Sequence, residues 1–209
     1  MPDLLSQVHA LLSGQRPLPL VFAGDPVLRR HVAPYDFSLP DELWANLLEA
    51  MRQTMHDAPG VGLAAPQIGL GIRVAVIEDP ATVPPEIAAE RSRYPTPPRV
   101  IVNPVYQPVA QDGAGRPAEF YEGCLSVPGY AAVVPRAPAV WLRCQDELGR
   151  DIDEVVTGWA ARIVAHETDH LNGTLYLDRA ITRSLSTSGN LMDQWSGIPL
   201  PVIRDALGF

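Results

Sequence analysis

The sequence predicts an α+β fold, on three observations. Strand-like runs rich in Val and Ile fall between residues 72 and 156, a strongly periodic helix precedes them, and a key helix follows that carries His166-Glu167-Thr168-Asp169-His170. Strands first and one key helix late is the α+β pattern.

The elements follow in order. Residues 1–20 hold Leu4, Leu5, Val8, Leu11 and Leu12 at helical spacing and then Pro17 and Pro19, which reads as a short surface helix or a loose arm. Over residues 41–56, Leu43, Leu47, Leu48, Met51 and Met55 form one apolar helix face. Asp41 suits its N-cap or first turn, and Pro59-Gly60 ends it. Residues 72–77 and 100–105 read as strands. Between them, residues 80–98 carry six prolines, which cannot donate to a strand ladder, so the segment is predicted as a surface loop. Further strands are expected at 131–134, 139–144 and 152–156, the last two joined by a hairpin through Asp146-Glu147-Leu148-Gly149. Thr157 then caps a helix that runs to about Leu171 and is closed by Asn172-Gly173.

A length of 209 residues suits one domain, taken here as 1–209. Its core is about 20–180, with an arm at 1–20 and a tail at 180–209. The net charge of −8 argues against nucleic-acid binding, which needs basic surface to neutralise phosphates. All sixteen basic residues are Arg, which reads as base-composition bias. Cys144 lies in an apolar run and reads as a buried free thiol. No signal-like N-terminus and no long apolar stretch is present, so a cytoplasmic protein with no membrane partner is expected.

Positions i and i+4 of a helix share a face, so His166 and His170 can direct imidazoles at one metal ion. A lone histidine is commonly a core residue, but two of only five at this spacing, with Glu beside the first, point to a metal site. Glu167 adjoins the ligand without being an obvious ligand itself, which suits a general base acting on metal-activated water. On the same helix, Trp159 and Ile163 continue the face that His166 and His170 end. Cys124 in Glu122-Gly123-Cys124-Leu125-Ser126 is a candidate third ligand, although it lies 42 positions before His166 and spacing alone does not place it there. In Gly60-Val61-Gly62 two glycines mark either a tight turn or a close backbone approach.

The blocks GVGLAAPQ (60–67), EGCLS (122–126) and HETDH (166–170) resemble, in this order, the three signature motifs of the peptide deformylases. The resemblance spans about residues 20–180. Thr168 stands where those motifs have an apolar residue, a small change expected on a helix surface. The resemblance implies mixed or antiparallel sheets wrapped around the helix of the H-E-x-x-H motif. It implies one divalent metal per chain held by Cys124, His166 and His170, with Fe2+ natural and Zn2+, Ni2+ or Co2+ accepted. Glu167 is then general base and acid. Gln67 and the backbone N–H of Leu125 are the oxyanion donors. Gly60, Val61 and Gly62 pair with the substrate peptide as an added strand. Phe120, Val61, Trp159, Arg162 and Ile163 line the pocket for the formyl-methionine side chain, with Glu122 and Gly123 also on the substrate side. Glu122 pairs with Arg136 and holds the Cys124 loop, and Asp169 orients an imidazole or the helix.

The implied activity is hydrolysis of the N-formyl group of formyl-methionine on nascent polypeptides, releasing formate. Two other readings stand against it. A general H-E-x-x-H metallopeptidase predicts a third ligand downstream of His170, where no convincing one follows. A metal-stabilised binding module would leave Glu167 and Gln67 idle. The resemblance also implies transient contact with the ribosome. Docking through a basic C-terminal helix is not expected, because residues 180–209 balance Arg183 and Arg204 against Asp193 and Asp205.

Overall fold

Two strands with apolar residues on both faces set the architecture. The computed structural model describes residues 3–109 and 116–209. In it, β2 (Val74–Asp79) and β3 (Thr96–Pro108) lie at the heart of a five-stranded sheet. The sheet is completed by β1 (Gly62–Ala64), β6 (Ala139–Gln145) and β7 (Asp151–Thr157), in the order β1-β2-β3-β6-β7. Every pairing is antiparallel. Alternate side chains point to opposite faces of a strand. Val74, Val76, Val100 and Val102 meet Leu47, Met51 and Met55 of α2 (Asp41–Asp57). Ala75, Ile77 and Ile101 meet Ala161, Val164 and Leu171 of α4 (Gly158–Leu171). Leu47, Met51 and Met55 are each 0% exposed, and each such burial contributes about 1.5–3 kcal/mol.

A second sheet has β5 (Val127–Arg136) between β4 (Ala118–Cys124) and β8 (Ser186–Thr187), again antiparallel. The sheets are thus antiparallel throughout, and α4 is the central helix. Its N-terminus follows Thr157, whose extended backbone occupies the N-cap position without a side-chain capping bond. At the other end Gly173 turns the chain with φ +73°, and Arg73 donates to Leu171 O at 3.1 Å and Asn172 Oδ1 at 2.9 Å. A cation there complements the helix dipole.

From Ala161 to Leu171, α4 is buried on all sides except for partial exposure at His166. This corrects the expectation for Thr168, which is 1% exposed rather than on a surface. Its hydroxyl is buried without a hydrogen-bond partner among the described residues. An unpartnered buried hydroxyl carries a desolvation cost. Thr168→Val is therefore expected to raise stability by about 1 kcal/mol, or about 2–4 °C in Tm, read by thermal unfolding.

One segment differs from the sequence expectation. Within residues 80–98 the structure forms α3 (Pro85–Arg91) and the start of β3. Pro84 and Pro85 sit at the N-cap and first helical position, where a missing N–H costs nothing, so these prolines start a helix. Of the two readings of the N-terminal stretch the helix holds: α1 (Leu4–Leu12) is capped by Asp3 and anchored by fully buried Val8 in the α2 core. The tail forms two eight-residue helices, α5 (Ser188–Trp195) and α6 (Leu200–Leu207).

Cys144, on β6, is a buried free thiol, and burial pushes it up to about 11. The thiolate is the reactive form. Iodoacetamide at neutral pH is expected to spare Cys144 in the folded protein and to modify it after denaturation, with peptide mass mapping as the readout. No helix among the described residues is long and apolar enough to cross a membrane.

Candidate active site

The β4–β5 hairpin brings Cys124 to α4. Leu125 and Ser126 form its turn, and the register breaks between Gly123 and Cys124, which turns the end of the strand. Cys124 Sγ lies 3.2 Å from His170 Nε2. One ligand atom each from Cys124, His166 and His170 lies within 4.8 Å of the others. No carboxylate or histidine downstream of His170 joins this cluster among the described residues. A thiol with two imidazoles suits a divalent transition ion, and three protein ligands leave a position open for chemistry.

Glu122 governs the first imidazole. Its Oε2 accepts from His166 Nδ1 at 3.0 Å, so Nε2 keeps its lone pair for a metal. Burial alone would push the Glu122 carboxyl up. The hydrogen bonds from His166 and Arg136 outweigh burial and hold it far below the usual carboxylate range. Arg136 bonds Glu122 twice, at 2.7 and 3.0 Å, as the sequence reading expected. Asp169 bonds no imidazole; it accepts from Arg136, Arg179 and Tyr106, so its hold is on the helix.

Glu167 has the opposite surroundings. It is 4% exposed, its Oε2 has no hydrogen-bond partner among the described residues, and burial pushes its carboxyl up to about 7. A divalent cation at the neighbouring ligands favours its ionised form. The side chain faces a cavity of about 690 Å³ that also reaches Gly60, Val61, Gly62, Gln67, Cys124 and His166. Gly62 shows what its missing side chain is for. A Cβ there would lie 2.6 Å from Glu167 Cδ and 2.8 Å from Cγ. The close approach left open by the sequence is therefore an approach to Glu167.

Gln67, 1% exposed, is oriented by its own backbone neighbourhood. The Ala64 N–H donates to its Oε1 at 2.8 Å, which turns Nε2 toward Ser126 Oγ at 3.3 Å and Cys124 Sγ at 3.6 Å. Its amide donor thus lies beside the thiol ligand.

Residues 17–185 match the family model described as polypeptide deformylase. Peptide deformylase 1 of Streptomyces coelicolor is 57% identical over 206 residues, covering 99% of this chain and 93% of that protein. The chain belongs to the polypeptide deformylase family. The family is one of metal-dependent hydrolases, and the Cys124, His166 and His170 cluster is a metal site this chain has to offer. A crystal structure of the Synechococcus elongatus peptide deformylase in complex with actinonin is 33% identical, with TM-score 0.66, covering 94% of this chain and 88% of that one. A Met-Ala-Ser-bound structure of the Acinetobacter baumannii enzyme is also 33% identical, with TM-score 0.66, covering 78% of this chain and 97% of that one.

Within this deformylase-family chain, the residues expected to meet substrate divide in two. Gly123, Leu125, Trp159, Arg162 and Ile163 line the cavity together with Glu122. Phe120 does not: it backs Trp159, ring centroids 5.7 Å apart, while its neighbour Tyr121 lines the wall.

Two contributions escaped the sequence reading. The Val21 N–H donates to Gln67 O and the Ala23 N–H to Ser126 O, each at 2.8 Å, so the segment after the arm ties two motif loops together. Leu20 and Phe22 also line the cavity. The segment after α3 supplies Arg93 to the wall, its guanidinium 5.4 Å from the Trp159 ring and doubly bonded to buried Asp79. The alternation of prolines with Arg in residues 80–98 carried no signal for either contact.

Proposed function

We propose that the chain hydrolyses the N-formyl group of formyl-methionyl peptides, on nascent chains in the cytoplasm, giving formate and a free amino terminus. The observation that carries this reading is Glu167. It is a buried carboxyl group with an unpartnered oxygen, facing the cavity and one residue from a metal ligand. Met-Ala-Ser, bound by the A. baumannii relative, is what deformylation of formyl-Met-Ala-Ser leaves.

Cys124, His166 and His170 would hold one divalent ion, proposed as Fe2+ with Zn2+, Ni2+ or Co2+ accepted by the same donors. When bound, the ion supplies Lewis acidity to water and to the formyl carbonyl. The chain's own residues do the rest. Glu167 takes a proton from the attacking water as oxygen adds to the formyl carbon, and returns it to the amine nitrogen as the C–N bond breaks. Gln67 Nε2 and the Leu125 N–H donate to the oxygen on which negative charge develops. The backbone of Gly60, Val61 and Gly62 offers an edge to the extended peptide, with Gly123 opposite. Val61, Trp159, Arg162 and Ile163 enclose the methionine side chain, and Phe120 supports them from behind Trp159.

The test is mass spectrometry of formyl-Met-Ala-Ser and of the same peptide without its formyl group, each incubated with ion-loaded protein. The expected result is Met-Ala-Ser from the first and no change in the second. Cleavage of either peptide at an internal bond would favour the general metallopeptidase instead.

A further inference from the structure

We propose that Arg162 is a positioning residue that locks the ligand-bearing helix to the hairpin carrying Cys124, and so governs how firmly the metal ion is held. The proposal rests on the metal-site reading above.

Arg162, His166 and His170 follow one another at steps of four and share a face of α4. Glu122 lies two residues before Cys124 on β4 and bonds both Arg162 and His166. Its Oε1 accepts from Arg162 Nη1 at 2.5 Å and from Arg136 Nε at 2.7 Å. Its Oε2 accepts from His166 Nδ1 and Arg136 Nη2, each at 3.0 Å. All four donors converge on a carboxylate that is only 6% exposed.

Arg162 reaches further than Glu122. Nη1 also donates to Val134 O on β5 at 2.9 Å, and Nη2 donates to Ala118 O on β4 at 2.6 Å. One side chain of α4 thus holds both strands of the hairpin and the carboxylate that orients the first ligand. The planar guanidinium spreads several donors in fixed directions, which a lysine ammonium on its flexible stem cannot reproduce.

This joint matters because of where the ligands come from. The close backbone packing of α4 is against β1, β2, β3, β6 and β7 of the larger sheet. Two ligands stand on α4, but the third stands on β4 of the other sheet. Their spacing therefore depends on how α4 is fixed to the hairpin. Arg136 bridges the same gap farther along the helix, through Asp169 at 2.9 Å, and Arg162 bridges it on the N-terminal side of His166. Although Arg162 lines the cavity, its two terminal nitrogens are committed to protein acceptors. Its guanidinium carbon lies 5.2 Å from the centre of the Phe120 ring and 5.4 Å from that of Trp159.

The experiment compares wild type, Arg162→Met and Arg162→Lys, each loaded with Ni2+. Release of Ni2+ to an excess of chromogenic chelator is followed, with kcat and KM for formyl-Met-Ala-Ser measured on the loaded proteins. Loss of a side chain that orients ligands typically weakens metal binding about 10- to 100-fold. The expected result is Ni2+ release from Arg162→Met faster by about that factor, with a lower kcat. Arg162→Lys, which restores one donor to Glu122 but not those to both strands, is expected to fall between. Release from folded Arg162→Met at the wild-type rate overturns the proposal. A raised KM with unchanged kcat and wild-type Ni2+ release also overturns it, because that is the signature of a substrate contact alone. If Arg162→Met does not fold, wild-type release from Arg162→Lys has the same force. A wild type that binds no Ni2+ overturns the metal-site reading itself, a failure distinguishable from equal release by wild type and variants.

Discussion

Glu167→Gln is expected to lower kcat for formate release by about 10²–10⁴-fold, the usual worth of a positioned proton acceptor. The substitution keeps the size and shape of the side chain and removes only its capacity to take a proton. Glu167 makes no hydrogen bond through Oε2 and is not among the three ligand residues, so the fold and metal content should survive. The contrast with Glu122 makes the assignment specific. Both carboxyl groups are buried beside His166, yet Glu122 is saturated by donors and held ionised, whereas Glu167 is left without them and pushed up to about 7. Of the two, Glu167 is the carboxyl group whose oxygen is left open to take a proton at the cavity. Steady-state kinetics with metal analysis of the same samples is the check. A variant with full metal and wild-type kcat would remove Glu167 from the chemistry.

Gly62→Ala is expected to lower kcat/KM by about 10²-fold, because it moves the same carboxylate from a distance of one residue type. The new Cβ would lie 2.6 Å from Glu167 Cδ, well inside contact distance. Gly62 cannot retreat cheaply, since it pairs with Ile77 in the sheet, and α4 is held on its other sides. Overpacking of this kind also costs about 1–3 kcal/mol of stability. Gly60→Ala serves as comparison: its Cβ would meet a movable side-chain atom, Leu125 Cδ1, at 2.9 Å. Kinetics and thermal unfolding of both variants test this. Equal, small effects on kcat/KM would show that Gly62 is not needed for the approach to Glu167.

Features with local causes were legible in the sequence. The face of α2, the β6–β7 hairpin and the Asn172-Gly173 close of α4 each follow from spacing or from a residue with a special backbone range. The pair His166 and His170 was legible because the helical repeat itself brings them together. The partners of Glu122 were only half legible. Arg136 lies across the same hairpin, but Arg162 is brought to the carboxylate by tertiary packing, and as an Arg near a cavity it read as a pocket wall. Thr168 was misplaced for a related reason. Helical spacing shows which residues share a face, not how many faces other elements cover, and α4 is enclosed. Phe120 lies against Trp159 rather than on the cavity wall, a tertiary placement that sequence spacing does not show. The tie between residues 21–23 and the motif loops is made by backbone groups, which leave no mark on side-chain pattern.

The most direct test of the central claim is formate release from formyl-Met-Ala-Ser as Fe2+ is added anaerobically to ion-free protein, beside Cys124→Ala. The account expects formate release to rise with Fe2+ and level off at one ion per chain, with no such rise in the variant. Formate release that ignores added Fe2+, or that Cys124→Ala matches, would contradict it.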